Sequence, residues 1–239
     1  MTLASSATSS GTCADCANSG GTAMDAFRQF ADNMNEITDG VLDVEIISDN
    51  MNYSNKCDNF VGNGEVNAWG DVVNSELGKP KYQTLINQGP RDIKEHCPNY
   101  DRMSIADRKG LVVLTMTAMA HYESSCNFRE TATGPNGTAA GLLQLHKGKE
   151  GRYSSGCRNG DSASAQRTLV CGLSMLNDQI VGRGERLFSS ASYWEVLRPR
   201  GRSKKAKKIM AAITKYPACT VRASNVAGRN AAAPRVAQR

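Results

Sequence analysis

The sequence predicts a mainly helical α+β chain, and three stretches carry that prediction. Ser104-Ile-Ala-Asp107 leads into the apolar run LVVLTMTAMA (111–120), as a capped helix does. AMDAFRQFADNMNEI (23–37) repeats Met24, Phe27, Phe30 and Met34 at helical intervals. LDVEIIS (42–48) alternates like a short strand. The 239 residues suffice for one substantial domain with an extension.

Residues 1–22 are rich in Ser, Thr, Gly and Ala and are expected to form a flexible tail. Residues 23–100 are expected to be an N-terminal extension: the helix, the strand, then a polar stretch rich in Asn and Gly. Short helical candidates in that stretch lie near 65–77 and 80–87. The main domain is expected over 101–222. In it, Ser104 is the N-cap and Asp107 stands three residues on, although Asp is shorter than the usual Glu. The apolar run after it is hydrophobic on nearly every side, so its helix is expected to be buried. Val112, Met116, Met119 and Glu123 fall on one stripe of it.

RPRGRSKKAKK (198–208) holds seven basic residues in eleven. It is expected to be the solvated face of a helix capped by Ser203, with Ile209, Met210 and Ile213 turned inward. A hold on an anionic surface is its second reading. Residues 223–239 are a basic tail with little to bury.

Apolar residues make up 40% and charged residues 22%, with a net charge of +6, which is an ordinary soluble composition. No apolar stretch is long enough to cross a bilayer. The first residues lack a basic segment followed by an apolar one, so any signal peptide is expected to have been removed. The eight cysteines are even in number and spread out, which favours disulfides and a periplasmic or secreted location. Cys157 with Cys171 and Cys13 with Cys16 are plausible local pairs, and the full connectivity stays open. A single CxxC and three histidines without ligand spacing give no case for a metal, and no cofactor is expected. His96 and His121 read as structural. Few aromatics accompany the basic run, so nucleic acid is not expected as a partner.

Glu123 ends the most hydrophobic segment. Apolar surroundings and the negative end of the helix dipole both favour its protonated form, as a general acid working near neutral pH requires.

Glu123-Ser124, followed 18 residues after Glu123 by Gly141-Leu142-Leu143-Gln144-Leu145, resembles the E-S … G-L-M-Q-[IL] signature of the soluble lytic transglycosylase and goose-type lysozyme superfamily. The resemblance covers roughly 104–198. It implies a lysozyme-like domain with a catalytic helix and a small β-hairpin region. CGLSMLNDQI (171–180) resembles the helix packed behind the family's cleft, and Ser192-Tyr193-Trp194 falls where the family places an aromatic beside the sugar.

By this resemblance Glu123 is the catalytic acid and Ser124 hydrogen-bonds near it. Leu143 packs against the sugar, Gln144 lines the cleft and Tyr193 stacks beside the acid. His146 stands where goose-type lysozymes usually carry an Asp, so an obvious second carboxylate is missing. Glu130, Glu150 and Asp161 are candidates for it; otherwise Glu123 acts alone in the lytic transglycosylase manner. The implied activity is cleavage of the β-1,4 linkage of bacterial peptidoglycan by a monomer. The exchanges at Leu143 and His146 admit altered specificity toward N-deacetylated glycan. The alternative is a non-catalytic glycan-binding module on the same fold, and residues 1–100 are expected to cover the sheet side of the cleft.

Overall fold

A computed structural model describes residues 44, 47, 48, 50–63 and 65–220. The expected tail 1–22, the helix over 23–37, the Cys13–Cys16 pair and the tail 223–239 lie outside the described residues. The fold is α+β and mainly helical.

The described chain opens with a helical segment where a strand was expected. Val44, Ile47 and Ser48 are helical, and Val44 and Ile47 are buried. The physical reason lies one turn on: Val44, Ile47 and the half-buried Met51 recur at i, i+3 and i+7, one helical stripe. The local alternation in 42–48 was the weaker pattern.

A two-stranded hairpin comes next, β1 (Val61–Gly62) with β2 (Glu65–Val66), then helices α1 (Ala68–Leu77), α2 (Gln83–Gln88) and α3 (Ile93–His96). These elements and the turns between them deliver Phe60, Trp69, Tyr82, Ile86 and Tyr100 into the core that also holds Leu114 and Met116. Two disulfides fasten this region to later parts of the chain. Cys57 pairs with Cys126 and Cys97 with Cys219; the third bridge is Cys157–Cys171.

Helix α4 (Ile105–Ser124) is the central element. Its capping box forms as the sequence predicts. The Ser104 hydroxyl accepts from the Asp107 N–H at 3.0 Å, and the Asp107 carboxylate accepts from the Ser104 N–H at 3.2 Å. Met116 and Met119 are fully buried. At its C-terminus, Ser125 and Cys126 both take left-handed backbone angles, φ 51° and 56°. Their N–H groups close onto the carbonyls of His121 and Ala120, and the Cys57 bridge holds the turn.

Beyond the turn lies an antiparallel three-stranded sheet in the order β3 (Thr131–Gly134), β4 (Gly137–Ala140), β5 (Leu145–His146). Thr131 pairs with Ala140, and Ala140 with Leu145. The 141–144 loop between β4 and β5 is tight. Gly141 has φ +77°, and a β-carbon there would lie 2.5 Å from the Ser162 carbonyl oxygen. Helix α5 (Ala165–Asn177) runs into one π-helical turn, Asp178–Gly182. Gly172 lets it close on this loop, since a β-carbon there would lie 2.2 Å from Leu143 Cδ1.

The chain ends in α6 (Lys205–Lys215) and the short α7 (Pro217–Thr220). Ile209 and Ile213 of α6 are fully buried and Met210 is half-buried, as the apolar spacing predicts. Its N-cap is Lys204 with φ 56°, not Ser203. Ser203 is drawn instead toward Glu195, where its N–H donates to Oε1 at 2.9 Å. Among the described residues no helix is long and apolar enough to cross a membrane.

Candidate active site

The last turn of α4 opens onto a cleft of about 560 Å³. Glu123 lies at its wall, one residue before the helix ends. Facing it are Gln144 and His146 from the sheet side, and Tyr193, Glu195 and Arg198 from the segment leading to α6. The Glu123 carboxyl has no hydrogen-bond or ion-pair partner among the described residues. Burial pushes its pKa up to about 7, repulsion by Glu195 adds to the rise, and Arg198 opposes it. At neutral pH much of it therefore carries a proton.

Ser124 does not face the cleft. Its buried hydroxyl hydrogen-bonds to the Ala120 carbonyl at 3.0 Å and to the Leu142 carbonyl at 2.9 Å. It ties the helix end to the 141–145 segment, which fixes where Glu123 points. Leu143, expected against the sugar, is instead fully buried beside Gly172. The reason is α5: its glycine leaves a hollow that an aliphatic side chain fills. The Leu143 carbonyl accepts the Trp194 indole N–H at 2.9 Å.

Gln144 lines the cleft from a left-handed backbone, φ 48°. Its amide nitrogen donates to the carbonyls of Glu130 and Gly141, at 3.1 and 3.0 Å. Tyr193 joins the two walls. Its hydroxyl accepts the His146 backbone N–H at 3.0 Å and donates to the Gln144 carbonyl at 3.2 Å. Burial, above all, holds its pKa well above the ordinary tyrosine range. The His146 ring is 2.5 Å from the Tyr153 hydroxyl through Nδ1, and Tyr153 packs edge-on against Tyr193. These rings form an aromatic wall of the cleft that Glu123 also lines. The Ser192 hydroxyl, also in the lining, is buried with no hydrogen-bond partner among the described residues.

None of the carboxylates nominated from sequence reaches the cleft lining. Glu130 is exposed and accepts from the Asn127 side chain at 3.0 Å. Glu150 is fully buried, held by the Gly160 N–H and by the Ser162 N–H and hydroxyl. Burial raises its pKa, but those hydrogen bonds outweigh it and the net shift is downward. Asp161 is buried and accepts the Arg158 N–H at 2.7 Å. Both Glu150 and Asp161 brace the 150–162 loop.

The carboxylate that does share the cleft is Glu195, which the sequence pattern does not single out. Burial pushes its pKa up. The Ser203 hydroxyl and N–H, the Arg198 charge and the Arg202 N–H pull harder, and the net shift is downward. The cleft thus pairs a carboxyl inclined to hold its proton with one inclined to lose it. One signal could have found it: Glu195 is the acid two residues beyond Tyr193, itself already a cleft candidate.

His121 and His96 sit away from this chemistry. His121 stacks on Tyr53 at 4.5 Å and accepts the Ser54 N–H, and His96 meets Phe188 edge-on. No His, Cys, Asp or Glu cluster among the described residues has the makings of a metal site.

No family model matches the chain, and no curated protein does. Solved structures do. The Bdellovibrio protein Bd0314 DslA, in its wild-type form, aligns with a TM-score of 0.54 at 27% identity. The chain shares a related fold with DslA. Two variants of that protein, each with one glutamate replaced by glutamine, align with TM-scores of 0.54 and 0.55 at 25% and 26% identity. Each alignment covers 63% of this chain and 90% of the DslA chain.

Proposed function

We propose that the chain is a glycan-cleaving enzyme acting on the β-1,4 linkage of bacterial peptidoglycan, with residues 101–222 forming a lysozyme-like catalytic domain. One observation carries this reading: a protonatable Glu123, its pKa pushed up to about 7, shares a cleft with the ionised Glu195. Paired carboxyls whose environments push their pKa values apart are the acid and base of glycoside cleavage. The likeness to DslA, structures of which carry single glutamate-to-glutamine replacements, supports an enzyme.

In this reading Glu123 donates its proton to the glycosidic oxygen as the bond to the anomeric carbon breaks. Positive charge grows on the ring, and the Glu195 carboxylate stabilises it. The intermediate is closed by water, giving a reducing end, or by the sugar's own 6-hydroxyl, giving an anhydro-sugar. The attacking hydroxyl gives its proton to a carboxylate. Gln144, His146 and Tyr193 hold the sugar, and Ser124 aims the acid. The ionised Glu195 would also offer a partner to the ammonium of an N-deacetylated sugar. The three disulfides favour a periplasmic or secreted site of action.

The test is cleavage of purified peptidoglycan, normal and chemically N-deacetylated, by wild type and by Glu123→Gln, with products identified by mass spectrometry. Loss of a general acid lowers the rate by about 100-fold or more. Equal activity in both proteins ends the assignment. Binding without cleavage by wild type favours the alternative, a non-catalytic glycan-binding module.

A further inference from the structure

Next to the cleft lies a second hollow of about 520 Å³. Its lining includes Arg198, Arg200 and Arg202, with Ser190, Ser203 and Glu195. Glu195 and Arg198 line both hollows, so the two are adjacent.

The loop is built to present these cations. Residues 198–203 wrap round the Glu195 carboxylate, which accepts the Ser203 N–H at 2.9 Å. The wrap is tight at Gly201, where a β-carbon would lie 2.5 Å from Glu195 Oε1 and 3.0 Å from the Arg198 carbonyl oxygen. Arg198 points inward. Its Nε donates to the Ser192 carbonyl at 2.9 Å and its Nη2 to the Tyr193 carbonyl at 3.2 Å. Arg200 and Arg202 are exposed, and neither guanidinium has a partner among the described residues. The single acid in the hollow, Glu195, accepts the Ser203 N–H and forms no ion pair with Arg200 or Arg202 among the described residues. Two guanidiniums without a partner among the described residues therefore line the hollow beside the cleft, and a guanidinium is the group that pairs planar oxyanions in bidentate fashion.

We infer that this arginine-lined hollow is a subsite for a carboxylate carried by the glycan, engaged by Arg200 and Arg202 while the sugar lies against Glu123. The inference rests on the proposed glycan-cleaving function and names what that site reads beyond the sugar ring. Two carboxylates of the same polymer fit: those of the stem peptide, and the lactyl carboxylate bared when the stem is removed. A neutral glycan such as chitin carries neither.

The experiment measures the dissociation constants of three soluble probes by calorimetry. They are peptidoglycan fragments with stem peptides, the same fragments after amidase removal of the stems, and chitin oligosaccharides. Glu123→Gln serves as the parent so that nothing is cut. The Arg200→Ala/Arg202→Ala pair is compared with Lys207→Ala/Lys215→Ala, which removes equal charge from the exposed face of α6. The arginine pair raises the dissociation constant about tenfold for a carboxylate-bearing probe. The rise confined to stem-bearing fragments identifies the peptide carboxylates, and a rise on stripped fragments identifies the lactyl group. Chitin binding stays level, and the lysine pair leaves all three probes unchanged. An equal rise on chitin, an equal effect of the lysine pair, or no rise on any probe overturns the subsite. Wild-type cleavage of the same fragments is scored separately, so failure of the enzyme reading shows as uncut wild-type digests and not as a change in these constants.

Discussion

Replacing Glu123 with glutamine should inactivate the protein and, at neutral to alkaline pH, stabilise it. A pKa of about 7 in the fold, against 4.5 for the free side chain, means that the folded protein binds this proton more tightly than the unfolded chain does. Below about pH 4.5 both states hold the proton and the group is neutral in the balance. Between 4.5 and 7 the unfolded chain gives it up first, so wild-type stability falls as pH rises. Above about 7 the loss is complete, and at about 1.4 kcal/mol per pH unit it amounts to about 3 kcal/mol. Glutamine keeps the shape and cannot ionise, so it escapes that loss. Urea unfolding of both proteins, disulfides intact, at about pH 4, 6 and 8 should show near-equal stability at the lowest pH. A gap in favour of the variant should then open, reaching at most about 3 kcal/mol at about pH 8. A variant that is less stable at the highest pH, or a gap independent of pH, would refute the claim that the cleft holds this carboxyl against ionisation. Wild-type activity, which needs the protonated form, should fall as pH rises through about 7.

Glu195→Gln removes the repulsion that helps hold the proton on Glu123, so the alkaline limb of the pH–rate profile moves to lower pH, and the rate falls about tenfold or more. Tyr193→Phe cuts both hydrogen bonds that join the 144–146 segment to the cleft wall; it lowers kcat/KM and costs about 1–2 kcal/mol in denaturant unfolding. Gly141→Ala drives a side chain into the Ser162 carbonyl at a left-handed backbone position, and costs about 2–3 kcal/mol by the same measurement. Removing the Cys97–Cys219 bridge, which spans 122 residues, destabilises by about 3–5 kcal/mol, read by urea unfolding of the double alanine variant.

Local chemistry was legible in the sequence where neighbours along the chain decide it. The capping box at Ser104 and Asp107, the buried stripe through Met116 and Met119, and the inward face of α6 at Ile209 and Ile213 all follow from spacing within a turn or two. The same spacing places Glu123 at the end of an apolar helix, which is enough to expect a carboxyl reluctant to ionise. Sequence alone also reads the even, scattered cysteines as disulfides. What it could not decide is which residues from distant segments meet. Leu143 turned away from the cleft because Gly172, on another helix, offered it a hollow. Glu150 and Asp161 went to loop bracing because backbone N–H groups from 158–162 lay within reach. Glu195 became the second carboxylate of the cleft only when the tertiary fold brought the 192–203 loop against the end of α4. Electrostatic coupling depends on distance through space, and chain spacing fixes that distance only within a single element of secondary structure.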